Sequence, residues 1–199
     1  RRLDCPIASL TTAGLDKVAL RVPSSTHAQA LLRMCNIPIA APSANPSGRI
    51  SPSTADHVYK ELAGKIDLIL DGGPCTGGLE STIIDCSGSR PVLLRPGGIS
   101  RDSIEKALKS AGAPSLKKKT KRSNSGLIVA PGQLESHYAP RTTIRLNAKK
   151  AKANEELIGF GSVDGAGQLC LSFSKVGNLR EAATNLFAML HRAESVALS

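Results

Sequence analysis

The stretch S-T-I-I-D-C-S-G-S-R-P-V-L-L-R, residues 81–95, decides the fold of this chain of 199 residues. Two β-prone runs flank a five-residue loop that contains a glycine, and this pattern predicts an antiparallel hairpin. The simplest register pairs Asp85 with Pro91. It places Ser81 opposite Arg95, so a hydroxyl and a guanidinium emerge together at the open end, beside Gly-Gly turns. We therefore expect an anion site at this end of the hairpin.

Around the hairpin, short apolar runs alternate with amphipathic helical patterns, which is typical of an α/β fold. Buried strands are predicted at residues 17–22, 37–41, 66–70, 142–146, 157–160 and 169–173. Helices are predicted from Ser24 or Ser25 to about Cys35, from Ser51 with Pro52 in the first turn to Gly64, from Ser100 to Gly112, and from Asn178 to about Arg192. In the last helix, the predicted buried stripe consists of Leu179, Ala182, Ala183, Leu186 and Leu190.

Composition divides the chain into three parts. Residues 1–112 carry the hairpin and most of the regular patterns, so we interpret them as the main domain. Residues 113–140 are rich in Lys, Ser, Gly and Pro with little periodicity, which is typical of a linker. Residues 141–199 form a second unit of only 59 residues, which is marginal for an independent core.

The formal charge of +10 is concentrated rather than spread over the chain. Six positive charges and no acidic residue lie between residues 109 and 122, and only five aromatic side chains are available for stacking on bases. This favours weak attraction to polyanions over sequence-specific reading. No stretch is long and apolar enough for a membrane helix, so we expect no membrane partner and a cytoplasmic location. The five cysteines form no C-x-x-C pair, which predicts free thiols.

Familiar catalytic motifs, including nucleophile triads, H-E-x-x-H and the common phosphate loops, are absent from the sequence. Hydroxyls and prolines or glycines concentrate instead in four short loops, at residues 42–48, 51–52, 78–82 and 94–98. Each places rigid backbone next to a small donor, which suits recognition of phosphate or of an amino acid. Taken singly, each loop is more often an ordinary turn or cap.

Several other polar residues have both a structural and a functional interpretation. His27, His57 and His191 fall on predicted helices and are expected to be solvated, and Cys75 is expected to be an inert thiol. Asp71 and Glu80 could bind Mg²⁺, although Asp71 equally suits a turn.

Four motifs follow one another along the chain, namely A-P-S-A-N-P-S-G-x-x-S-P, I-D-L-I-L-D-G-G, G-x-E-S-T-I-I-D and L-L-R-P-G-G-I. Their order and spacing resemble the YrdC/Sua5 family of L-threonylcarbamoyladenylate synthases over residues 17–112. Pro131-Gly132 and S-H-Y-A-P at 136–140 resemble the linker of the longer Sua5 type. The resemblance implies an α/β fold with a YrdC-like twisted mixed sheet and a partial small Rossmann-like C-terminal domain. It makes residues 1–112 the catalytic domain, 113–140 a lid, and 141–199 part of the Sua5 C-terminal domain.

The resemblance also implies an activity. Such enzymes use L-threonine, bicarbonate and ATP with Mg²⁺, release pyrophosphate, and pass threonylcarbamoyl-AMP to transferase proteins that make t6A in tRNA. The chemistry needs positioning and charge neutralisation at phosphorus rather than a covalent nucleophile, so no catalytic side chain is assigned. The residues that the resemblance assigns to threonine are Arg21, Ala41 and Ser81. Those that it assigns to ATP are Ser43, Asn45, Ser51, Arg95 and, from the lid, Tyr138.

Members of the family begin with a Lys/Arg-rich nucleotide motif, a threonine-contacting His and W-P-G-P-L-T, none of which is present here. We therefore expect a chain truncated at both ends that has no synthase activity alone. Two alternatives remain open. One is a non-catalytic YrdC-like RNA-binding module that uses the lysine run at 117–122, and the other is a carbamoyl transferase with a similar domain. tRNA is a further candidate partner.

Overall fold

The computed structural model describes residues 7–12, 14–117, 138–162 and 171–197. The chain divides into two compact units, Arg1–Ser43 and Ala44–Ser199. The first unit contains a 3-10 turn, Ser9–Thr12, and helix α1, Thr26–Cys35. The second unit contains helices α2 (Ala55–Leu62), α3 (Arg101–Ser110) and α4 (Leu179–Ala197) and strands β1 (Ile83–Asp85), β2 (Val92–Arg95), β3 (Ile158–Gly159) and β4 (Leu171–Ser172). The predicted α/β class is confirmed.

The predicted hairpin is present, but its register differs from the prediction. Strands β1 and β2 pair antiparallel, with Asp85 opposite Val92 and Ile83 opposite Arg95. A β-bulge near Ile83 inserts one extra residue into β2, which moves Arg95 along the ladder. The Asp85 carboxylate also accepts the backbone N–H of Ser87 at 2.9 Å and so begins the turn. The expected pairing of Ser81 with Arg95 was therefore wrong.

Four predicted strands do not form in the described part of the chain. Residues 17–22, 37–41, 66–70 and 142–146 have no ladder partner there. Apolar side chains in the first three of these runs are exposed, including Val22 at 92% and Leu68 at 82%. A strand exists only when a neighbour accepts its hydrogen bonds, and an apolar run by itself does not supply that neighbour.

The later strands of the second unit do pair. Strand β3 lies parallel to β4, with Ile158 beside Leu171, and helix α4 follows in the sequence. Strand β3 is shorter than the predicted run at 157–160, and β4 falls within the predicted run at 169–173, of which residues 169–170 lie outside the described residues. The core of this unit contains the buried side chains Ile50, Ile104, Leu116, Leu171 and Phe187.

Three helices begin where side-chain capping dictates. The Ser25 hydroxyl accepts the Ala28 N–H ahead of α1, and Ser100 accepts the Ser103 N–H ahead of α3, as predicted. Helix α2 was predicted to open at Ser51, which was wrong, because Thr54 is its N-cap. The Ser51 hydroxyl instead donates to the distant carboxylate of Glu80.

Helix α4 is longer than predicted, and its predicted buried stripe is confirmed only in part. The Asn178 side chain accepts the N–H groups of Arg180 and Glu181, which starts the helix one residue later than Asn178 itself. Phe187 and Glu194 are the buried residues. Four residues of the predicted stripe are half-buried, namely Ala182, Ala183, Leu186 and Leu190, whereas Leu179 is exposed. A charged residue thus occupies a core position that hydrophobic periodicity cannot assign.

Glycines bring backbone segments into close approach at two places. A Cβ on Gly97 would lie 2.2 Å from the carbonyl oxygen of Glu80, and one on Gly78 would lie 2.2 Å from the Cα of Thr184 in α4. Gly78 also has a φ of +60°, which disfavours other residues. These glycines let the hairpin and the 71–80 loop pack directly against their neighbours. Cys35, Cys75 and Cys86 are exposed free thiols, as predicted.

No helix among the described residues combines the length and the apolar character that a membrane crossing requires.

Candidate functional site

A polar cluster lies at the open end of the β1–β2 hairpin, around the carboxylate of Glu80. The Ser51 hydroxyl donates to Glu80 Oε1 at 2.6 Å, and Arg95 Nη2 lies 3.7 Å from Glu80 Oε2. Ser51 is buried, and the Arg95 side chain is only 16% exposed. Solvent therefore screens this charge pair less than it would screen a surface pair.

The backbone of Ser81 orients the guanidinium of Arg95. Arg95 Nε and Nη2 both donate to the Ser81 carbonyl oxygen, at 3.1 Å and 2.8 Å. Two donors on one acceptor fix the plane of the side chain. The structure thus brings Ser81 and Arg95 together despite the shifted register, because the side chain reaches back along the strand from its bulged position.

Tyr138, from the C-terminal end of the linker, also lies at this cluster. Its ring packs against Phe187 of α4, with ring centroids 5.4 Å apart. Burial raises the pKa of the Tyr138 hydroxyl and the nearby Glu80 carboxylate raises it further, while Arg95 acts in the opposite direction. The phenol therefore stays protonated at neutral pH and can donate a hydrogen bond.

The loop before Ser51 is shaped by Asn45. Its side-chain amide donates to the carbonyl oxygens of Pro46 and Arg49, both at 3.1 Å, and closes a tight turn. The Asn45 Oδ1 atom is buried and has no hydrogen-bond partner among the described residues. The turn also meets the linker, since the Ala139 N–H donates to the Gly48 carbonyl at 2.8 Å. Asn45 thus holds the loop that delivers Ser51.

The other predicted residues belong to the first unit. Arg21, Ala41 and Ser43 all lie within residues 1–43 and are exposed. Arg21 lines a shallow pocket of about 300 Å³ whose wall is largely apolar. The other residues that line this pocket are Val22, Pro23, Gln29, Leu32 and Arg33. Two guanidinium-bearing residues at one pocket favour an anionic group.

A second polar cluster, between α2 and α4, was missed by the sequence analysis. His57 and His191, expected to be solvated, stack on each other with ring centroids 4.0 Å apart. Burial and the neighbouring His191 lower the pKa of His57 to about 4, so its ring is neutral at neutral pH. Two histidines on helices far apart in sequence carry no pattern that would reveal this contact. Glu80 was considered only as a metal ligand, although it organises the first cluster.

Part of the predicted lid falls outside the described residues. Residues 118–137, including most of the lysine run and His137, belong to this part. The described end of the linker, Tyr138 to Pro140, is half-buried.

Fold and site together define a mixed α/β protein in which Ser51, Arg95 and Tyr138 surround the Glu80 carboxylate at the open end of the hairpin, and these donors suit an anionic ligand. Comparison with known proteins identifies the group. A family model described as "Threonylcarbamoyl-AMP synthase, C-terminal domain" matches residues 99–199, and one described as "Telomere recombination", the Sua5/YrdC family, matches residues 2–97. The chain belongs to the Sua5/YrdC family.

Individual relatives agree with this placement. The chain is 44% identical over 135 residues to a threonylcarbamoyl-AMP synthase of Bacillus subtilis, a match that covers 68% of this chain and 38% of the relative. It is 37% identical to the threonylcarbamoyl-AMP synthase of Pyrococcus abyssi, over 94% of this chain and 58% of the relative. The chain thus spans between about a third and three fifths of the curated relatives it matches.

A solved structure has the same fold. Sua5 of P. abyssi complexed with L-threonine aligns with a TM-score of 0.66 and 32% identity, covering 92% of this chain and 57% of that one. The likeness therefore extends over both units of the chain.

Proposed function

We propose that this chain is part of an enzyme that makes L-threonylcarbamoyl-AMP from L-threonine, bicarbonate and ATP and releases pyrophosphate. The observation that carries the proposal is the convergence of Ser51, Ser81, Arg95 and Tyr138 around Glu80. Relatives named for this activity and the threonine complex of P. abyssi Sua5 support it. The product would pass to threonylcarbamoyl transferases that make t6A in tRNA. A cytoplasmic location belongs to the proposal because ATP and tRNA are available there.

In this reaction, the amine of threonine and bicarbonate first give the N-carboxylate (a carbamate) with loss of water, and an oxygen of this carbamate then attacks the α-phosphorus of ATP. A new P–O bond forms, the bond to the β-phosphate bridge breaks, and pyrophosphate leaves with the electron pair. No side chain has to become covalently linked, so the protein needs only to position the reactants and to balance charge. Fixed donors at the phosphates are what this reaction requires.

Each residue at the Glu80 cluster has its own proposed role in binding ATP. Arg95, held in plane by the Ser81 carbonyl, would turn from Glu80 to phosphate oxygens, since both are anionic acceptors. Ser51 would move its hydroxyl hydrogen bond in the same way. Tyr138 would cover the nucleotide with its protonated ring. Ser43 would contact ATP, and Asn45 would shape the loop that carries it.

For threonine, the proposed residues are Arg21, Ala41 and Ser81. Arg21 would pair its planar donor fork with the carboxylate of the amino acid. The predicted domains at 1–112, 113–140 and 141–199, with the middle one as a lid, also remain part of the proposal.

The two carboxylates considered as Mg²⁺ ligands, Glu80 and Asp71, already have hydrogen-bond partners within the chain. Glu80 is already engaged by Ser51 and Arg95, and an Asp71 oxygen accepts the Gly73 N–H at 2.8 Å within a turn. We therefore treat Mg²⁺ as entering with ATP, as part of the substrate complex.

The test measures release of pyrophosphate from ATP by the full-length protein encoded by the natural reading frame that contains these residues. The release should depend on both threonine and bicarbonate. Arg95→Ala and Ser81→Ala should each lower the rate by about 100-fold or more. Arg101→Ala, which removes an exposed guanidinium paired with Glu105, is the matched control and should leave it unchanged. A wild-type protein that releases no pyrophosphate, or an Arg95→Ala variant with full activity, would contradict the proposal. The RNA-binding alternative instead predicts loss of RNA affinity when the lysines at 117–119 are replaced.

A further inference from the structure

At the second polar cluster, His191 also lies close to two carboxylates, so three side chains of metal-ligating type meet between α2 and α4. One potential ligand atom each of Glu61, His191 and Glu194 lies within 4.8 Å of the other two. Glu61 comes from α2, and the other two come from α4 with a spacing of three residues. Residues at this spacing project from the same face of a helix, so two ligands from one helix meet a third from the other.

The carboxylate of Glu61 has an oxygen that needs a partner. Glu61 Oε2 is shielded from solvent and accepts no hydrogen bond among the described residues. No ion pair of the described part of the chain involves Glu61 or Glu194. Burying a carboxylate oxygen without a donor or a cation is costly, because the oxygen loses its water and gains nothing in return. This oxygen therefore points independently to a bound cation.

The other two ligands are held in place by contacts that leave lone pairs available. Glu194 is 9% exposed, and its Oε1 accepts the backbone N–H of Arg141, which leaves Oε2. His191 Nε2 lies 3.1 Å from the Ser51 carbonyl oxygen. A hydrogen on Nε2 makes this bond, so Nδ1 keeps its lone pair. Metal-bound histidines commonly donate their other ring N–H to a carbonyl in this way.

The surroundings of His191 are compatible with a cation. His57 stacks on its ring at an angle of 26°, and the Ser53 N–H donates to His57 Nδ1 at 3.3 Å. The stacked His57 ring thus supports the plane of the His191 imidazole from one side.

We propose that Glu61, His191 and Glu194 bind one divalent transition-metal ion of the Zn²⁺ type, which clamps α4 to α2. One imidazole and two carboxylates suit such an ion and would balance its charge. Ligand atoms around a tetrahedral Zn²⁺ lie roughly 3.4 Å apart, so the side chains would close by little more than about 1 Å. The site adjoins the Glu80 cluster through Ser51 but shares no ligand side chain with it, and its existence does not depend on the proposed function.

The test uses the whole chain, stripped with a chelator and titrated with Zn²⁺ alone by calorimetry. We expect one ion per chain and an increase in melting temperature on binding. Glu61→Gln, which keeps the shape and removes the charge, should weaken binding by about tenfold to a hundredfold or more. Asp67→Asn, the equivalent change at an exposed acid, should leave the affinity unchanged.

Co²⁺ distinguishes this site from the exposed thiols Cys35, Cys75 and Cys86. Nitrogen and oxygen ligands give only d–d bands, whereas thiolates add an intense ultraviolet charge-transfer band. We expect d–d bands that disappear in Glu61→Gln. Glu194→Gln, which changes the second carboxylate ligand, should remove the same bands. If this variant does not fold, Glu61→Gln and the wild-type spectrum still decide whether the proposed site binds the ion. Absence of binding, binding unaffected by Glu61→Gln, or binding only through thiolates would overturn the proposal.

Discussion

Glu80 illustrates how one carboxylate organises several donors at the residue scale. Its two oxygens face different partners, Ser51 Oγ and the Arg95 guanidinium, so neither donor is left without an acceptor. Buried donors of this kind are costly to leave unpaired. The free protein therefore holds the cluster in a defined arrangement before any ligand arrives.

The residues of the Glu80 cluster were predictable from sequence where they belong to a motif. Ser51, Ser81 and Arg95 stand in motifs, and the structure brings them together. The stacking of His57 on His191 was not predictable, because it depends on how two helices separated by more than a hundred residues pack. A buried glutamate such as Glu194 is likewise invisible to a hydrophobic pattern.

Gly97→Ala should destabilise the chain by about 1–3 kcal/mol. The new Cβ would lie 2.2 Å from the Glu80 carbonyl oxygen and 2.5 Å from the Thr82 nitrogen, and both are backbone atoms with little freedom to move. Urea unfolding followed by circular dichroism measures the effect. Gly98→Ala is the control, since a Cβ there meets nothing within 4 Å, and equal stabilities for the two variants would contradict the expectation.

At the scale of single elements, local chemistry fixed the helix starts better than the strands. Ser25 and Ser100 cap their helices as predicted because a cap needs only a side chain three residues from an N–H group. The predicted register of the hairpin was wrong by one residue at the loop, where Asp85 pairs with Val92 rather than with Pro91, and the bulge adds a second shift at Ile83.

Ser100→Ala should cost about 1 kcal/mol, because the Ser103 N–H at the start of α3 loses its acceptor. The unfolding free energy in urea measures this loss, and faster amide exchange at Ser103 would locate it. Ser110→Ala, at the other end of the same helix, should change stability far less. Similar losses for both serines would rule out capping as the cause.

The Arg145–Glu155 pair makes the 141–157 loop sensitive to acid. Its hydrogen bonds lower the pKa of Glu155 from 4.5 to about 2. A lowered folded pKa means that the pair stabilises the folded chain above about pH 4.5 and that this contribution is lost as the pH falls towards 2. Carbon-13 NMR of the Glu155 carboxylate should show a midpoint near 2.

Arg145→Ala should return that midpoint towards 4.5, whereas Lys149→Ala should leave it in place. A wild-type midpoint near 4.5 would show that the pair does not form in solution.

At the scale of the whole molecule, α4 connects distant parts of the second unit. His191 contacts the Ser51 carbonyl, Phe187 packs on Tyr138, and Gly78 lies against Thr184. The sequence predicted that this helix exists but not what it covers, because tertiary partners leave no local pattern. The four unformed strands fail for the same reason, since a ladder needs a second segment.

Gly78→Ala should destabilise the second unit by about 2 kcal/mol or more, combining a strained left-handed backbone with a clash against α4. Amide chemical shifts of Ala183 and Thr184 should move, which would tie the effect to the helix contact. Gly77→Ala meets nothing within 4 Å and is the control. A Gly78→Ala protein as stable as Gly77→Ala would contradict the close approach.

Ser51 serves two neighbours through different atoms. Its hydroxyl reaches Glu80, whereas its main-chain oxygen holds the imidazole of His191. Every amino acid supplies that main-chain oxygen, so exchanging Ser51 for alanine erases the first bond and spares the second. A single point mutation can thus remove the contact with Glu80 and keep the contact with His191, so the two adjoining features can be separated genetically, which a truncation could not do.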